Sequence, residues 1–200
     1  MFAAFMTKKT FACLLLFAVF TLNGQTADFR ILRSVNTGNM PGWDKAMKDL
    51  SFTAYPVAPL SAGSILLHGY IKKDKDLIRS GYKSAITILL AMSISTGTKY
   101  LVKRERPAFT YPNSITERDH SGTWSFPSGH TTAAFATATA LSLTYKKWYV
   151  TLPAYSYAGF VGYSRMRLGM HYPSDVLGGI IAGIGSGLLT WKLDRILNSR

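Results

Sequence analysis

Two hundred residues give room for one domain with a real core, and nothing in the chain marks a second. Lys and Arg number 23 against 10 Asp and Glu, a net charge of +13 that suits an anionic partner, yet only 16% of the residues are charged and 48% are hydrophobic. Short basic clusters between long uncharged stretches argue for a membrane and against nucleic acid, and the single cysteine, Cys13, excludes an intramolecular disulfide and a cysteine-rich zinc site.

The chain opens with Lys8 and Lys9, then the apolar run "TFACLLLFAVFTL", then "NGQTADFR". Basic, apolar and small-residue parts in that order read as a secretory signal over residues 1–24. Ala-x-Ala spacing is absent, so an uncleaved signal anchor is the alternative. Residues 25–200 form the domain proper. In "NMPGWDKAMKDLS", Trp43, Ala46, Met47 and Leu50 recur at helical spacing after a turn-rich "NTGNMPG", which predicts a short amphipathic helix.

Five nearly uncharged stretches follow, at 50–71, 84–98, 129–145, 149–164 and 176–191. Each is long enough for a helix, and several approach the thickness of a bilayer. The expected fold is all-α, a bundle of about five to six helices that spans a membrane. The abundance of Thr, Ser, Gly and Ala in "HTTAAFATATALSLTY" and "LGGIIAGIGSGLL" keeps a soluble all-α domain open, although small residues such as Gly183, Ser186 and Gly187 also suit close helix packing in lipid. The Lys/Arg-rich connections "IKKDKDLIRSGYK", "KKW" and "KLDRILNSR" alternate with the loops 23–50, 99–128 and 164–175, as a positive-inside arrangement requires. "KYLVKRERP" is basic yet falls on the outer side, so a local demand for cations is expected there.

Three polar clusters occupy those outer loops. In "KYLVKRERP", Lys99 and Arg106 can reach one anion, the Arg supplying a planar fork for two oxygens; a solvated basic helix end is the plainer reading. In "FPSGHTTAAF", Pro127, Ser128 and Gly129 make a turn before a helix whose positive end would face an anion beside His130, or Ser128 simply caps the helix. In "SRMRLGMHYPSD", Arg165 precedes His171 and Asp175. With Pro173 and Ser174 starting a helix, Asp175 can accept a bond from one ring nitrogen of His171 and leave the other lone pair free to attack. A structural His–Asp pair is the competing reading.

Taken together, Lys-x6-Arg-Pro, Pro-Ser-Gly-His and Ser-Arg-x5-His-x3-Asp resemble the three signature motifs of the phosphatidic acid phosphatase type 2 superfamily, over roughly residues 45–192, with every signature position filled. The resemblance implies metal-independent, cofactor-free hydrolysis of phosphate esters or anhydrides. Residue by residue, it implies that His171 attacks phosphorus, Asp175 orients it and His130 protonates the leaving oxygen. Lys99, Arg106, Ser128, Gly129 and Arg165 would hold the phosphoryl oxygens. A neutral nucleophile and a protonated acid should make activity fall at both pH extremes.

The leading expectation is a membrane lipid phosphatase at the outer face of a bacterial-type inner membrane, acting on polyprenyl diphosphate, phosphatidic acid, phosphatidylglycerol phosphate or lipid A phosphates. The alternatives are a soluble periplasmic acid phosphatase acting on small phosphomonoesters, and a catalytically silent module that binds lipid headgroups. A vanadate-dependent haloperoxidase shares the anion-binding residues, but such chains are usually much larger. His68 is expected to be structural, and Tyr111, Arg118, His120 and Trp124 receive no site assignment. Oligomeric state stays open.

Overall fold

The protein is described by a computed structural model covering residues 26–120, 122 and 124–198; the expected signal at 1–24 lies outside the described residues. Within them the chain is helical and contains no strand: α1 (residues 26–36), α2 (Pro41–Phe52), α3 (Ala54–Lys72), α4 (Lys75–Val102), α5 (Pro107–Thr110), α6 (Gly129–Tyr145), α7 (Trp148–Arg167) and α8 (Pro173–Leu197). The expected all-α bundle is therefore present. Each of the five uncharged stretches lies largely or wholly within one of the five long helices, and the amphipathic segment around Met47 is α2.

Local chemistry sets the boundaries. Pro occupies the first turn of α2, α5 and α8, where its missing N–H costs nothing. Asp74 caps α4 by accepting the N–H groups of Asp76 and Leu77 at 2.9 and 3.0 Å. α3, α4 and α6 each end on a lysine in the left-handed conformation: Lys73, Lys103 and Lys146. That position usually takes glycine, but a cation there complements the negative end of the helix dipole.

The core is built around α6, which is buried on every face from Gly129 except at His130 until Ala140. Such a helix should be apolar all round, yet it is rich in threonine. The hydroxyls of Thr132 and Thr139 donate back to the carbonyls of Ser128 and Phe135 at 2.9 and 2.7 Å, so these polar groups are satisfied within the helix. α8 lies against α6 through Gly179, Gly183 and Gly187, spaced four apart on one face; a Cβ at Gly183 would stand 2.8 Å from the Ala136 nitrogen and the Thr132 carbonyl. The expectation of close packing at Gly183 and Gly187 holds, and its partner is α6.

Outward faces carry exposed Leu60, Leu67, Ile86, Leu89, Phe160 and Ile181, an apolar belt that lipid would cover. The segments Pro41–Lys72, Lys75–Thr110 and Pro173–Leu197 are long and apolar enough to cross a membrane. α6, at 17 residues, and α7 are not among them. His68, expected to be structural, is exposed on α3.

Ion pairs tie each end of the bundle. At one end Asp194 pairs with Arg79 at 2.9 Å and Lys83 at 3.3 Å. At the other end, buried Arg167 lashes α1 and α2 to α7: its Nε meets Asp44 at 2.6 Å, and its remaining nitrogens donate to the carbonyls of Val35, Thr37 and Gly38. Asn36 donates to the carbonyls of Thr116 and Arg167 at 3.0 and 2.9 Å. Arg118, left unassigned in the sequence, joins this tie through Asp44 at 3.0 Å.

Candidate active site

The third cluster sits where α7 gives way to α8. His171 is 2% exposed, and its main-chain N–H donates to the Arg165 carbonyl at 3.3 Å. Its Nδ1 faces Asp175 Oδ2 at 3.5 Å, a close approach longer than an ordinary hydrogen bond. That same oxygen already accepts the Tyr172 N–H at 2.9 Å, closing the first turn of α8, while Oδ1 accepts Arg104 Nη1 at 2.7 Å. The other ring nitrogen, Nε2, lies 3.5 Å from Arg106 Nη1. Burial, reinforced by Arg106 and Arg165 and only partly opposed by Asp175, lowers the His171 pKa to about 3. The imidazole is therefore neutral at neutral pH.

The second cluster meets the third through the backbone. Ser128 precedes α6, and its N–H donates to the main-chain carbonyl of Asp175 at 3.0 Å. Its hydroxyl accepts from Thr131 at 2.9 Å rather than capping the helix, so the N-terminus of α6 has no side-chain cap, as an anion-binding end requires. Gly129 lets Tyr55 come close: a Cβ would stand 2.7 Å from the phenol oxygen. The Tyr55 ring packs on that of His130 with centroids 4.3 Å apart.

The first cluster arrives from the end of α4. Lys99 Nζ donates to the Trp124 carbonyl at 2.6 Å. The left-handed Lys103 stops the helix and turns the chain, so that Arg106, capping α5, reaches the Met170 carbonyl at 2.8 Å. Ser125 ties the two loops together, its N–H donating to the Arg104 carbonyl at 2.8 Å and its hydroxyl to that of Glu105 at 3.0 Å. From α7, Arg165, 1% exposed, donates to Ser51 at 2.6 Å and Asp119 at 3.0 Å. Burial raises the Asp119 carboxyl, but the bond and charge of Arg165 outweigh it, helped by Lys48, and hold it below its ordinary range.

Lys99, Arg106 and Arg165 lie within electrostatic range of one another, and His130 within range of His171. All eight residues singled out in the sequence thus come together at one end of the bundle. A cavity of about 470 Å³ opens beside Arg106, Phe109, Trp124 and Met170, and a smaller one of about 200 Å³ runs between Tyr55, Ser95, Lys99 and Gly129. Among the described residues, no three His, Cys, Asp or Glu side chains cluster as metal ligands. The arrangement offers a neutral, carboxylate-backed imidazole facing a concentration of fixed positive charge, which suits an attack on a bound oxyanion.

Sequence reasoning missed several neighbours. Arg104 is the most consequential, being bonded to Asp175; its only signal was its place inside "KYLVKRERP". Ser51, Tyr55 and Asp119 lie outside the three motifs, and nothing in their spacing marks them. Of the residues left unassigned, Trp124 contributes its carbonyl to Lys99, and Tyr111 packs on Phe29 with ring centroids 4.4 Å apart.

Comparison with known proteins gives the chain's family and fold relatives. The chain is 33% identical over 132 residues to the lipid A 1-phosphatase of Porphyromonas gingivalis, covering 64% of this chain and 27% of that protein. It is 29% identical over 134 residues to the undecaprenyl-diphosphatase BcrC of Bacillus subtilis, covering 67% of this chain and 66% of the relative. The matches therefore span between about a quarter and two thirds of these relatives' lengths. Among solved structures, Aquifex aeolicus LpxE superposes with a TM-score of 0.67 at 26% identity, over 82% of this chain and 93% of its own. The transmembrane phosphatidylglycerolphosphate phosphatase of Bacillus subtilis superposes with a TM-score of 0.72, over 94% of both chains, and at 23% identity shows the shared fold. Together with three helices of membrane-crossing length, this supports an integral membrane protein. The family model described as the PAP2 superfamily matches residues 81–198, more than half of the sequence and all three polar clusters, and the chain belongs to that superfamily.

Proposed function

We propose that the protein is a metal-independent lipid phosphatase of the membrane, hydrolysing a phosphorylated lipid through a phosphohistidine intermediate at the outer face of a bacterial-type inner membrane. Residues 1–24 serve as its export signal or anchor, and residues 25–200 as the catalytic domain. The observation that carries this reading is the convergence of His171, backed by Asp175, with Lys99, Arg106 and Arg165 at one end of an apolar-belted bundle.

In this mechanism the substrate phosphoryl group settles among the three cations, with Ser128, Gly129 and the N-terminus of α6 beneath it. The Nε2 lone pair of His171 attacks phosphorus and forms an N–P bond. The P–O bond to the lipid breaks, and His130 gives its proton to the departing oxygen. Asp175 holds the ring and offsets the charge it gains. His130 then takes a proton from water, whose oxygen attacks phosphorus and releases inorganic phosphate, restoring both histidines. The cations do the charge stabilisation for which many phosphatases use a metal ion.

Relatives named as lipid A phosphatases and undecaprenyl-diphosphatases make lipid A phosphates and polyprenyl diphosphates the first substrates to try, followed by phosphatidic acid and phosphatidylglycerol phosphate. A soluble acid phosphatase is disfavoured by the exposed apolar belt. The test is phosphate release by purified protein in detergent, with chelator present and His171→Ala as control. Turnover of lipids that is lost in the variant supports the proposal. Turnover confined to a soluble phosphomonoester, or none at all, overturns it in favour of an acid phosphatase or a silent headgroup-binding module respectively.

A further inference from the structure

We infer that Asp28 and Arg104 are positioning residues for the nucleophile, linking α1, which lies outside the segment matched by the family model, to His171; this rests on the histidine-phosphatase reading above. Arg104 Nη1 donates to Asp175 Oδ1 at 2.7 Å and to the Ser174 hydroxyl at 2.6 Å, while Nη2 donates to Asp28 Oδ2 at 2.9 Å. The guanidinium lies 3.9 Å above the Tyr172 ring, which fixes its plane. Asp28 Oδ1 accepts the Ser174 N–H at 2.9 Å, and Oδ2 accepts the Ser174 hydroxyl.

Two consequences follow. First, α8 has Tyr172 as its N-cap, and the N–H of its second residue, Ser174, finds an acceptor in Asp28, a side chain supplied from another helix. Asp28 therefore fixes where the helix bearing Asp175 begins. Second, Arg104 occupies the Asp175 oxygen that faces away from His171, so the carboxylate cannot rotate without breaking a charge-assisted bond. The other oxygen stays aimed at Nδ1, which keeps Nε2 as the attacking nitrogen. Asp28 is 8% exposed and Asp175 0%, so water offers little competition for these partners. Neither Arg104 nor Asp28 is needed to touch the phosphoryl group, which separates them from Lys99, Arg106 and Arg165.

The test compares Asp28→Asn, Asp28→Glu, Arg104→Gln and Arg104→Lys with the unmodified chain, using a lipid substrate that the unmodified chain hydrolyses. Expected for Asp28→Asn and Arg104→Gln is a fall in kcat of about 10- to 100-fold, the range typical for losing a partner that orients a reacting group, with KM and inhibition by inorganic phosphate changed less than about twofold. Arg104→Lys should recover part of kcat. The Asp28→Asn/Arg104→Gln double variant should lose little more than either single change, because both act through one carboxylate. An unfolding midpoint for each variant identifies any that fail to fold, and Asp28→Glu, which keeps the charge, serves as the milder probe if Asp28→Asn does not fold. Unchanged kcat in folded variants overturns the inference, as does a loss carried by KM and phosphate inhibition. No turnover in the unmodified chain instead refutes the phosphatase reading itself.

Discussion

The N–H of Ser128 donates to the main-chain carbonyl of Asp175 at 3.0 Å, so the helix carrying one histidine and the helix carrying the carboxylate behind the other are joined at their first turns. That bond depends on how closely α6 and α8 approach. A Cβ at Gly179 would stand 2.8 Å from the Ser128 carbonyl, whereas one at Gly185, on the same helix, meets nothing within 4 Å. Gly179→Ala is therefore expected to cost about 1–3 kcal/mol, the usual penalty for overpacking, and to lower kcat by moving Ser128. Gly185→Ala should leave the unfolding midpoint unchanged or raise it, because alanine is the better helix former. Thermal unfolding in detergent and a rate measurement on both variants check this; equal destabilisation would show that the close approach of α6 and α8 does not depend on glycine at position 179.

Arg106 combines a bond to the Met170 carbonyl with a position 3.5 Å from His171 Nε2, which places its fork beside the atom proposed to attack. Lysine keeps the charge and loses the planar pair of donors. Arg106→Lys is expected to lower kcat/KM by about 10²-fold, comparable to removing one donor from an oxyanion site, while leaving the unfolding midpoint within a few degrees. Steady-state kinetics on the best lipid substrate measures it. A change under threefold would remove Arg106 from the phosphoryl cradle.

The parts of the fold legible in the sequence were those written in local pattern. Uncharged stretches gave the long helices because each must bury an apolar surface or meet lipid, and Lys99, His130, His171 and the rest stood out through the resemblance of three short motifs to one family, since each motif alone also had a plain structural reading. The unread parts are those whose partners are distant along the chain. Arg104 meets Asp175 71 residues later and Asp28 76 residues earlier, and Arg165 meets Ser51 across 114. A lone Asp28 or Ser51 looks like any solvated side chain until the bundle brings it beside a buried arginine. α6 was legible as a helix but not as the centre, since threonines that bond back to their own helix look polar in sequence and behave as core in the structure.

The loop holding His171 turns at Gly169, whose φ of +73° is natural only to glycine, and a Cβ there would stand 2.4 Å from the Thr116 carbonyl. Gly169→Ala must accept left-handed strain, about 1–3 kcal/mol, and also displace either the loop at Thr116 or the 168–171 turn. Expected are a clear drop in unfolding midpoint and a larger loss in kcat than Gly179→Ala produces, since the turn leads directly into the nucleophile. Normal kinetics in Gly169→Ala would show that His171 is positioned from the α8 side alone.

Acid should act on stability as well as on rate. His171 is held neutral by burial with a pKa of about 3, whereas in the unfolded chain a histidine titrates near its ordinary value of 6.5. Between those limits the unfolded state binds more protons than the folded one, so unfolding free energy rises with pH. The contribution is fully present above 6.5 and is lost as pH falls toward 3, at up to about 1.4 kcal/mol per pH unit for one proton. The catalytic rate is expected to fall at both pH extremes for a separate reason: His171 must be neutral to attack, and His130, which burial and the nearby Arg165 hold neutral in the free protein, must gain its proton beside the bound phosphoryl oxyanion to release the leaving oxygen. Unfolding midpoints measured from pH 7 to pH 4 should decline in the unmodified chain and decline less steeply in His171→Gln, which has no proton to gain at that position. Parallel slopes would mean that His171 takes up its proton while folded, and a rate that stays flat from pH 4 to 9 would remove the acid–base pair from the mechanism.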